Sequence, residues 1–296
     1  MAHELAYEMP PYRPPSEAFS VLIRVTRNCP WNRCAFCPMY KGMRFQKRPV
    51  AEVKRDIEVA ARLYGDSRCA FLGDADSIII PADDLVEILH HLYRCFPHLR
   101  RVTSYGRART VVKKTVEDLR KLSEAGLSRL HLGLESGDDE TLTAMVKGIT
   151  AAQVVEAGLK VKEAGISLSE YVLLGLGGKQ GYMKHAEQTA AALNQIDPDF
   201  IRVRTLAVVP GTPLASKLDE GDFTPCSALE LLLEEKLLME LLDGISSTFT
   251  SDHVSNLLPL HGKLPQDKQD MLRPLDKAIK MVETGAWEPP RVVSVL

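Results

Sequence analysis

Three cysteines, Cys29, Cys34 and Cys37, stand at C-x4-C-x2-C spacing directly after the apolar run Val21-Leu22-Ile23-Arg24-Val25. Thiolates are soft ligands, and three this close together suit an iron–sulfur cluster or zinc. A structural zinc site wants a fourth protein ligand, and none lies nearby; His3 is upstream. A cubane iron–sulfur cluster can instead take three thiolates and leave its fourth iron for a substrate group. The same spacing followed by a later cysteine is also the plant-type ferredoxin pattern, which would recruit Cys69. Cys69 lies inside the apolar run Cys69-Ala70-Phe71-Leu72, where a buried strand thiol is the expected role. Cys95 and Cys226 stand alone and read as buried thiols.

A loop of this kind needs a scaffold to aim it. Apolar, β-rich runs centre near Leu22, Phe71, Val102, Leu132, Leu173 and Val203, roughly 30 to 50 residues apart, which is room for a βαβ unit each time. Between the third and fourth, Val112, Val116, Leu119 and Leu122 recur at helical spacing and Gly126 follows as a stop. The next unit closes alike, with Val155, Leu159 and Val161 leading into Gly165, and Glu124-Ala125-Gly126 is echoed by Glu163-Ala164-Gly165. Alternating strands and helices imply parallel strands joined by right-handed crossovers, in a doubly wound sheet or an incomplete barrel. In either, ligands bind at the C-terminal ends of the strands, where the cysteine loop falls. Beyond Val209 the pattern changes to a Pro210-Gly211-Thr212-Pro213 turn, an amphipathic helix over 227–242, a polar loop over 251–256 and a last helix over about 266–284. The expected organisation is an arm over 1–17, a core over 18–210 and a mainly helical extension over 211–296.

Other chemistry-bearing residues also fall at strand ends. Ser104, Tyr105, Arg107, Arg202 and Arg204 are candidates to line a substrate cavity, although arginines are common on surfaces. In the 251–256 loop His253 is placed either to carry a proton or to hold a structural turn. The Gly-rich stretch 175–178 lacks the G-x-x-x-x-G-K-[ST] and G-x-G-x-x-G patterns of phosphate loops. The net charge of −2 offers no electrostatic argument for nucleic acid or an anionic membrane. No run of 18 apolar residues is present, and the proline-rich start with Glu4 and Glu8 does not read as a secretory signal, so the expected compartment is the cytoplasm. Six cysteines there read as ligands or thiols, not disulfides.

The cysteine loop, with Phe36 immediately before Cys37, resembles that of the radical S-adenosylmethionine superfamily over roughly residues 18–210. The stretches 131–137 and 138–148 are similar to the branch that includes methylthiotransferases and oxygen-independent coproporphyrinogen oxidases. The common spacing there is C-x3-C-x2-C, so this chain inserts one residue between Cys29 and Cys34. The resemblance implies an α/β fold, a partial (β/α)6 TIM-type barrel. It implies a [4Fe–4S] cluster on Cys29, Cys34 and Cys37, with Phe36 beside it. It places the amino group of S-adenosylmethionine at Gly73 and at Asp74 or Asp76, the ribose or carboxylate region at Glu135 and Ser136, and the adenine at Gly175. The implied activity is an oxidoreductase-type enzyme that cleaves S-adenosylmethionine to a 5′-deoxyadenosyl radical, which abstracts hydrogen from an unidentified substrate. An electron donor such as flavodoxin or ferredoxin would be its partner. Neither a cobalamin-binding domain nor the flanking domains of methylthiotransferases is expected. The alternatives are a non-catalytic iron–sulfur protein of electron transfer or assembly, and an ordinary barrel enzyme with incidental cysteines. Local chemistry leaves bland readings open too: Gly73-Asp74 as a common turn, and Ser136 or Asp138 as a helix cap.

Overall fold

A computed structural model describes residues 5, 7 and 12–289; His3, Glu4 and Glu8 of the expected arm lie outside them. Eight strands form one sheet in the order β1-β4-β5-β6-β7-β8-β9-β10. Six lie where the sequence predicts: β1 (Val21–Arg24), β4 (Cys69–Gly73), β5 (Arg101–Tyr105), β6 (Leu127–Glu135), β7 (Ser167–Leu174) and β8 (Phe200–Thr205). A ribbon of β2 (Thr26–Arg27) and β3 (Gln46–Lys47) pairs antiparallel across the cysteine loop. The remaining strands, β9 (Thr248–Ser251) and β10 (Leu260–Lys263), extend the sheet beyond β8, the first parallel and the second antiparallel. Because β1 and β10 are edges, the sheet is open: a parallel α/β barrel-type sheet that does not close.

The helices are α1 (Val50–Tyr64), α2 (Ala82–Cys95), α3 (Ala108–Lys113), α4 (Val116–Glu124), α5 (Asp139–Ala144), α6 (Ala151–Glu163), α7 (Gly178–Ile196), α8 (Pro213–Glu220), α9 (Ala228–Leu241) and α10 (Lys268–Glu283). One expected helix is in fact two. Thr115 breaks the pattern because its side chain accepts from Asp118 N and starts α4 afresh, so Val112 and Val116 belong to different helices. In α6 the buried face is Val154, Ala157 and Val161, and Leu159, expected inside, is 48% exposed. The start of α9 follows the sequence closely: Ser227 and Glu230 form a reciprocal capping box. None of the described helices is long and apolar enough to cross a membrane.

The chain divides into two compact units. The first comprises Met1–Asn32, Met39–Leu132 and Leu159–Leu168; the second comprises Arg33–Pro38, Gly133–Gly158 and Ser169–Leu296. In the first, β1, β4 and β5 run parallel with Ile23 beside Leu72 and Phe71 beside Thr103. α1 and α2 cover them with Val53, Ile57, Leu85, Ile88, Leu89 and Leu92, all fully buried. Among these apolar residues Arg24 is buried at 1% exposure, and its guanidinium grips Asp74 through Nε–Oδ1 at 3.0 Å and Nη2–Oδ2 at 2.6 Å. Glu17, at the end of the expected arm, is also buried. Its burial alone would raise its pKa, but the nearby His131, a hydrogen bond from Ser20 and the charge of Arg101 carry it down to about 2.

The second unit buries carboxylates at Glu170, Glu234 and Glu235. Glu170 on β7 accepts from Leu134 N at 3.1 Å through Oε2, while Oε1 has no partner. Burial, and then the Glu135 carboxylate, push Glu170 up to about 8. In the same unit α7 packs along α9, and Leu231, Leu232, Leu238 and Met239 of α9 are buried.

Two predictions follow the buried charges. Arg24→Met strands Asp74 in an apolar setting and lowers the unfolding free energy by about 3–5 kcal/mol at pH 7, read by urea denaturation; a loss under about 1 kcal/mol would show the pair to be idle. For Glu170, the folded chain keeps a proton between its unfolded value near 4.5 and about 8 that the unfolded chain has released, so stability falls as pH rises. Glu170→Gln removes that slope and gains stability on the order of a few kcal/mol at pH 8.5 relative to pH 5.5. Parallel pH profiles of variant and parent would contradict this.

Candidate functional site

The cysteine loop owes its shape to two asparagines. In the first unit Asn28 and Asn32 adopt left-handed φ of 65° and 48°, a region that asparagine tolerates better than most residues. Asn28 N donates to Asp74 Oδ2 at 2.8 Å and its side chain to Arg44 O at 2.7 Å; the Asn32 side chain donates to Tyr40 O and Met43 O. Between them sits Cys29, whose Sγ accepts from Asn32 N at 3.4 Å. In the second unit Cys34 and Cys37 bracket a turn in which Cys37 N donates to Cys34 O at 3.4 Å. Ala35 locks that turn at both ends, its N–H to Met145 O at 2.8 Å and its carbonyl from Leu214 N at 3.0 Å. Phe36 packs against the core of Ala35, Met145, Leu176, Leu214 and Phe223, with Lys147 Nζ 5.9 Å from its ring centre.

All six cysteines are thiols, and Cys29, Cys34 and Cys37 are half-buried. Among the described residues no three His, Cys, Asp or Glu side chains converge as ligands of a single ion, the arrangement that structural zinc needs. A cubane asks for a different arrangement, since each thiolate binds a different iron and the sulfurs stand around a cluster. Cys29 in the first unit and Cys34 and Cys37 in the second are half-buried thiols on one short loop, the type of donor such a group takes.

In the first unit the turn after β4 carries both sequence-predicted carboxylates, each fully buried and each engaged within the protein. Asp74 serves Arg24 and Asn28. Asp76 accepts from Arg107 N at 3.3 Å and Thr110 Oγ1 at 2.5 Å, and so holds the start of α3; burial pushes it up to about 6. Gly73 O accepts from Val25 N and from Ser77 Oγ. The structure thus places Gly73, Asp74 and Asp76 together at one strand end, with the side chains shaping the turn. In the cysteine loop, Trp31 has the guanidinium carbons of Arg107 and Arg109 5.5 and 5.4 Å from its ring centre.

In the second unit, Glu135 ends β6 with a left-handed φ of 61°, and its Oε1 pairs with Lys147 Nζ at 2.9 Å. Ser136 is fully buried and accepts from Asp138 N; the cap of α5 is Asp138, which accepts from Thr141 N and Oγ1. Gly175 follows β7 at φ 79°, where a side chain would be strained and would meet Leu231 at 3.0 Å. Two residues that the sequence reading passed over join these positions. His185 on α7 donates from Nε2 to Glu135 O at 3.1 Å, and its Nδ1 stands 2.6 Å from Glu234 Oε1 on α9. The other oxygen of Glu234 accepts from Gly175 N at 2.8 Å. Burial opposes charge on His185, but the Glu234 carboxylate outweighs it and raises the imidazole above its ordinary pKa. One signal was available: Glu234 and Glu235 fall among the buried leucines of α9, where acids are out of place unless partnered. For His185 no local motif existed.

The 251–256 loop is tied to the end of β8. Asn256 Nδ2 donates to Val203 O and Ser251 Oγ, its Oδ1 accepts from Thr205 Oγ1, and Ser255 Oγ accepts from Thr205 N. His253 Nδ1 accepts from Ser255 N at 3.2 Å, and burial with the charge of Arg204 keeps its pKa low.

Residues 23–191 match the family described as the Radical SAM superfamily. The chain is 28% identical over 225 residues to tRNA-2-methylthio-N(6)-dimethylallyladenosine synthase of Neisseria meningitidis serogroup C (strain 053442), covering 72% of this chain and 48% of the relative. It is 25% identical over 208 residues to the protein of the same name from Herpetosiphon aurantiacus, covering 67% and 45%. The chain therefore spans about half the length of the curated relatives it matches. Among solved structures, coproporphyrinogen III oxidase from Escherichia coli superposes with a TM-score of 0.58 at 16% identity, over 75% of this chain and 52% of that one. Methylornithine synthase superposes with a TM-score of 0.53 at 18% identity, over 92% and 83%. These likenesses agree with the open parallel sheet and the branch that the sequence resembles, and members of the matched family use a [4Fe–4S] cluster and S-adenosylmethionine. With more than half of its length matched, from the first strand into α7, the chain belongs to the radical SAM superfamily.

Proposed function

We propose that the chain is a radical S-adenosylmethionine enzyme whose cluster is held by Cys29, Cys34 and Cys37. The observation that carries this is the loop itself: three thiols on a turn fixed by Asn28, Asn32 and Ala35, within the matched region. When bound, the cluster and S-adenosylmethionine supply a one-electron cleavage that yields methionine and a 5′-deoxyadenosyl radical for hydrogen abstraction. The protein's own share is binding, orientation and the exclusion of water. The turn at Gly73, Asp74 and Asp76 offers backbone and acidic groups to an ammonium. Glu135, paired with Lys147 at 2.9 Å, offers acceptors to ribose hydroxyls, with Ser136 next in the chain. Gly175 keeps side-chain atoms away from a flat base, and His185 with Glu234 fixes the backbone at both Glu135 and Gly175.

A second reading concerns the substrate. The curated relatives are named for a tRNA nucleoside, which favours RNA; they share only about half of their length with this chain, whose net charge of −2 gives no general pull on phosphates. The electron donor, a flavodoxin or ferredoxin type, and a cytoplasmic place belong to the same proposal.

The test is anaerobic reconstitution with iron and sulfide, reduction by dithionite and quantification of 5′-deoxyadenosine. Product that disappears in Cys34→Ala is expected; a cluster-loaded protein that releases none would leave the electron-transfer alternative in its place. His185→Ala, which frees both strand ends, is expected to raise the KM for S-adenosylmethionine about ten-fold or more while iron content is kept. An unchanged KM would show that the brace does not reach the cofactor.

A further inference from the structure

Among the described residues, two arginines of the second unit have no acid to answer them. Arg202 and Arg204 alternate along β8 with the buried Ile201, Val203 and Thr205, so both project from one half-buried face. In register, Arg202 lies beside Tyr171 of β7 and Thr250 of β9, and Arg204 lies beside Leu173. The guanidinium carbon of Arg204 is 5.3 Å from the centre of the Tyr171 ring, and that of Arg202 is 5.7 Å from the centre of the Phe200 ring. Arg202 Nε is buried without a hydrogen-bond acceptor. Among the described residues neither arginine forms an ion pair. The nearby groups are accounted for: Glu135 acts on Tyr171 but is bound by Lys147, and Asp252 acts on His253, which itself feels Arg204.

Withdrawing a guanidinium from water without an acceptor is costly, and stacking on aromatic rings offsets only part of that cost. Each guanidinium lies against a ring, Arg204 also acts on the Tyr171 hydroxyl, and among the described residues neither is answered by a carboxylate. Two such forks, one strand pleat apart, match an oxyanion better than any neutral or cationic group. We propose that Arg202 and Arg204 form an oxyanion subsite that takes a carboxylate or phosphate group of the substrate. Tyr171 is the platform for Arg204, and His253 lies at the same end of the strand. The inference deepens the radical enzyme reading by giving its substrate a chemical class.

The experiment titrates the full chain with inorganic phosphate and, separately, with succinate, at constant ionic strength set by sodium chloride, following heat by calorimetry. At least one anion is expected to bind saturably, about ten-fold more weakly in Arg202→Gln and in Arg204→Gln, with Arg204→Lys between, since it keeps the charge and loses the fork. Circular dichroism confirms that each variant is folded, and whichever anion binds more tightly names the group. Binding no better than chloride, or equal in parent and folded glutamine variants, would overturn the subsite. So would a ten-fold rise in the KM for S-adenosylmethionine in those variants, which would assign the arginines to the cofactor. Anion binding does not require the cluster, so a parent chain that binds phosphate or succinate but makes no 5′-deoxyadenosine would sink the radical reading and keep the subsite.

Discussion

Two hydrogen bonds to backbone and one buried ion pair organise the second unit. His185 reaches the carbonyl of Glu135, Glu234 reaches the amide of Gly175, and the two side chains meet at 2.6 Å. Neither is tolerated as a lone buried charge: an unpaired carboxylate or imidazolium in that setting costs several kcal/mol or gives up its charge, the course Glu170 takes. Together they form an ion pair, and their other polar atoms, His185 Nε2 and Glu234 Oε2, bond the strand ends. Those ends are in unusual conformations, left-handed at both Glu135 and Gly175, and a residue at positive φ persists only where its surroundings hold it. The brace supplies that hold from helices α7 and α9, which are packed along each other.

The first unit solves a similar problem with a different pair. Arg24 is a strand residue buried among isoleucine and leucine, and it is tolerated because Asp74 meets it with both oxygens. The same carboxylate accepts from Asn28 N, the residue that turns the chain into the cysteine loop. A sequence-predicted cofactor ligand therefore has an architectural duty. Its neighbour Asp76 is alike, since it holds Arg107 and Thr110 at the start of α3.

The scaffold was legible because hydrophobic runs of the right length recur at βαβ spacing, and all six such strands are present. β9 and β10 were not, because Thr248-Phe249-Thr250-Ser251 and Leu260-His261-Gly262-Lys263 are four residues each with little apolar signal. The break at Thr115 was missed because helical spacing continued across it, and Leu159 because several apolar residues competed for one helix face. The three cysteines announced themselves by type and spacing. Their supporting residues did not: the left-handed conformations of Asn28 and Asn32 have no period, and the partnership of His185 with Glu234 joins positions 49 apart that only the packed helices bring together.

The central claim is that three thiols of one short loop carry a cubane with an open iron. Electron paramagnetic resonance of the reconstituted, dithionite-reduced chain, with and without S-adenosylmethionine, addresses it directly. The account predicts the spectrum of a reduced [4Fe–4S] centre whose g-values shift when S-adenosylmethionine is added. A spectrum indifferent to S-adenosylmethionine would contradict it, as would the same spectrum from a variant lacking Cys29, Cys34 and Cys37.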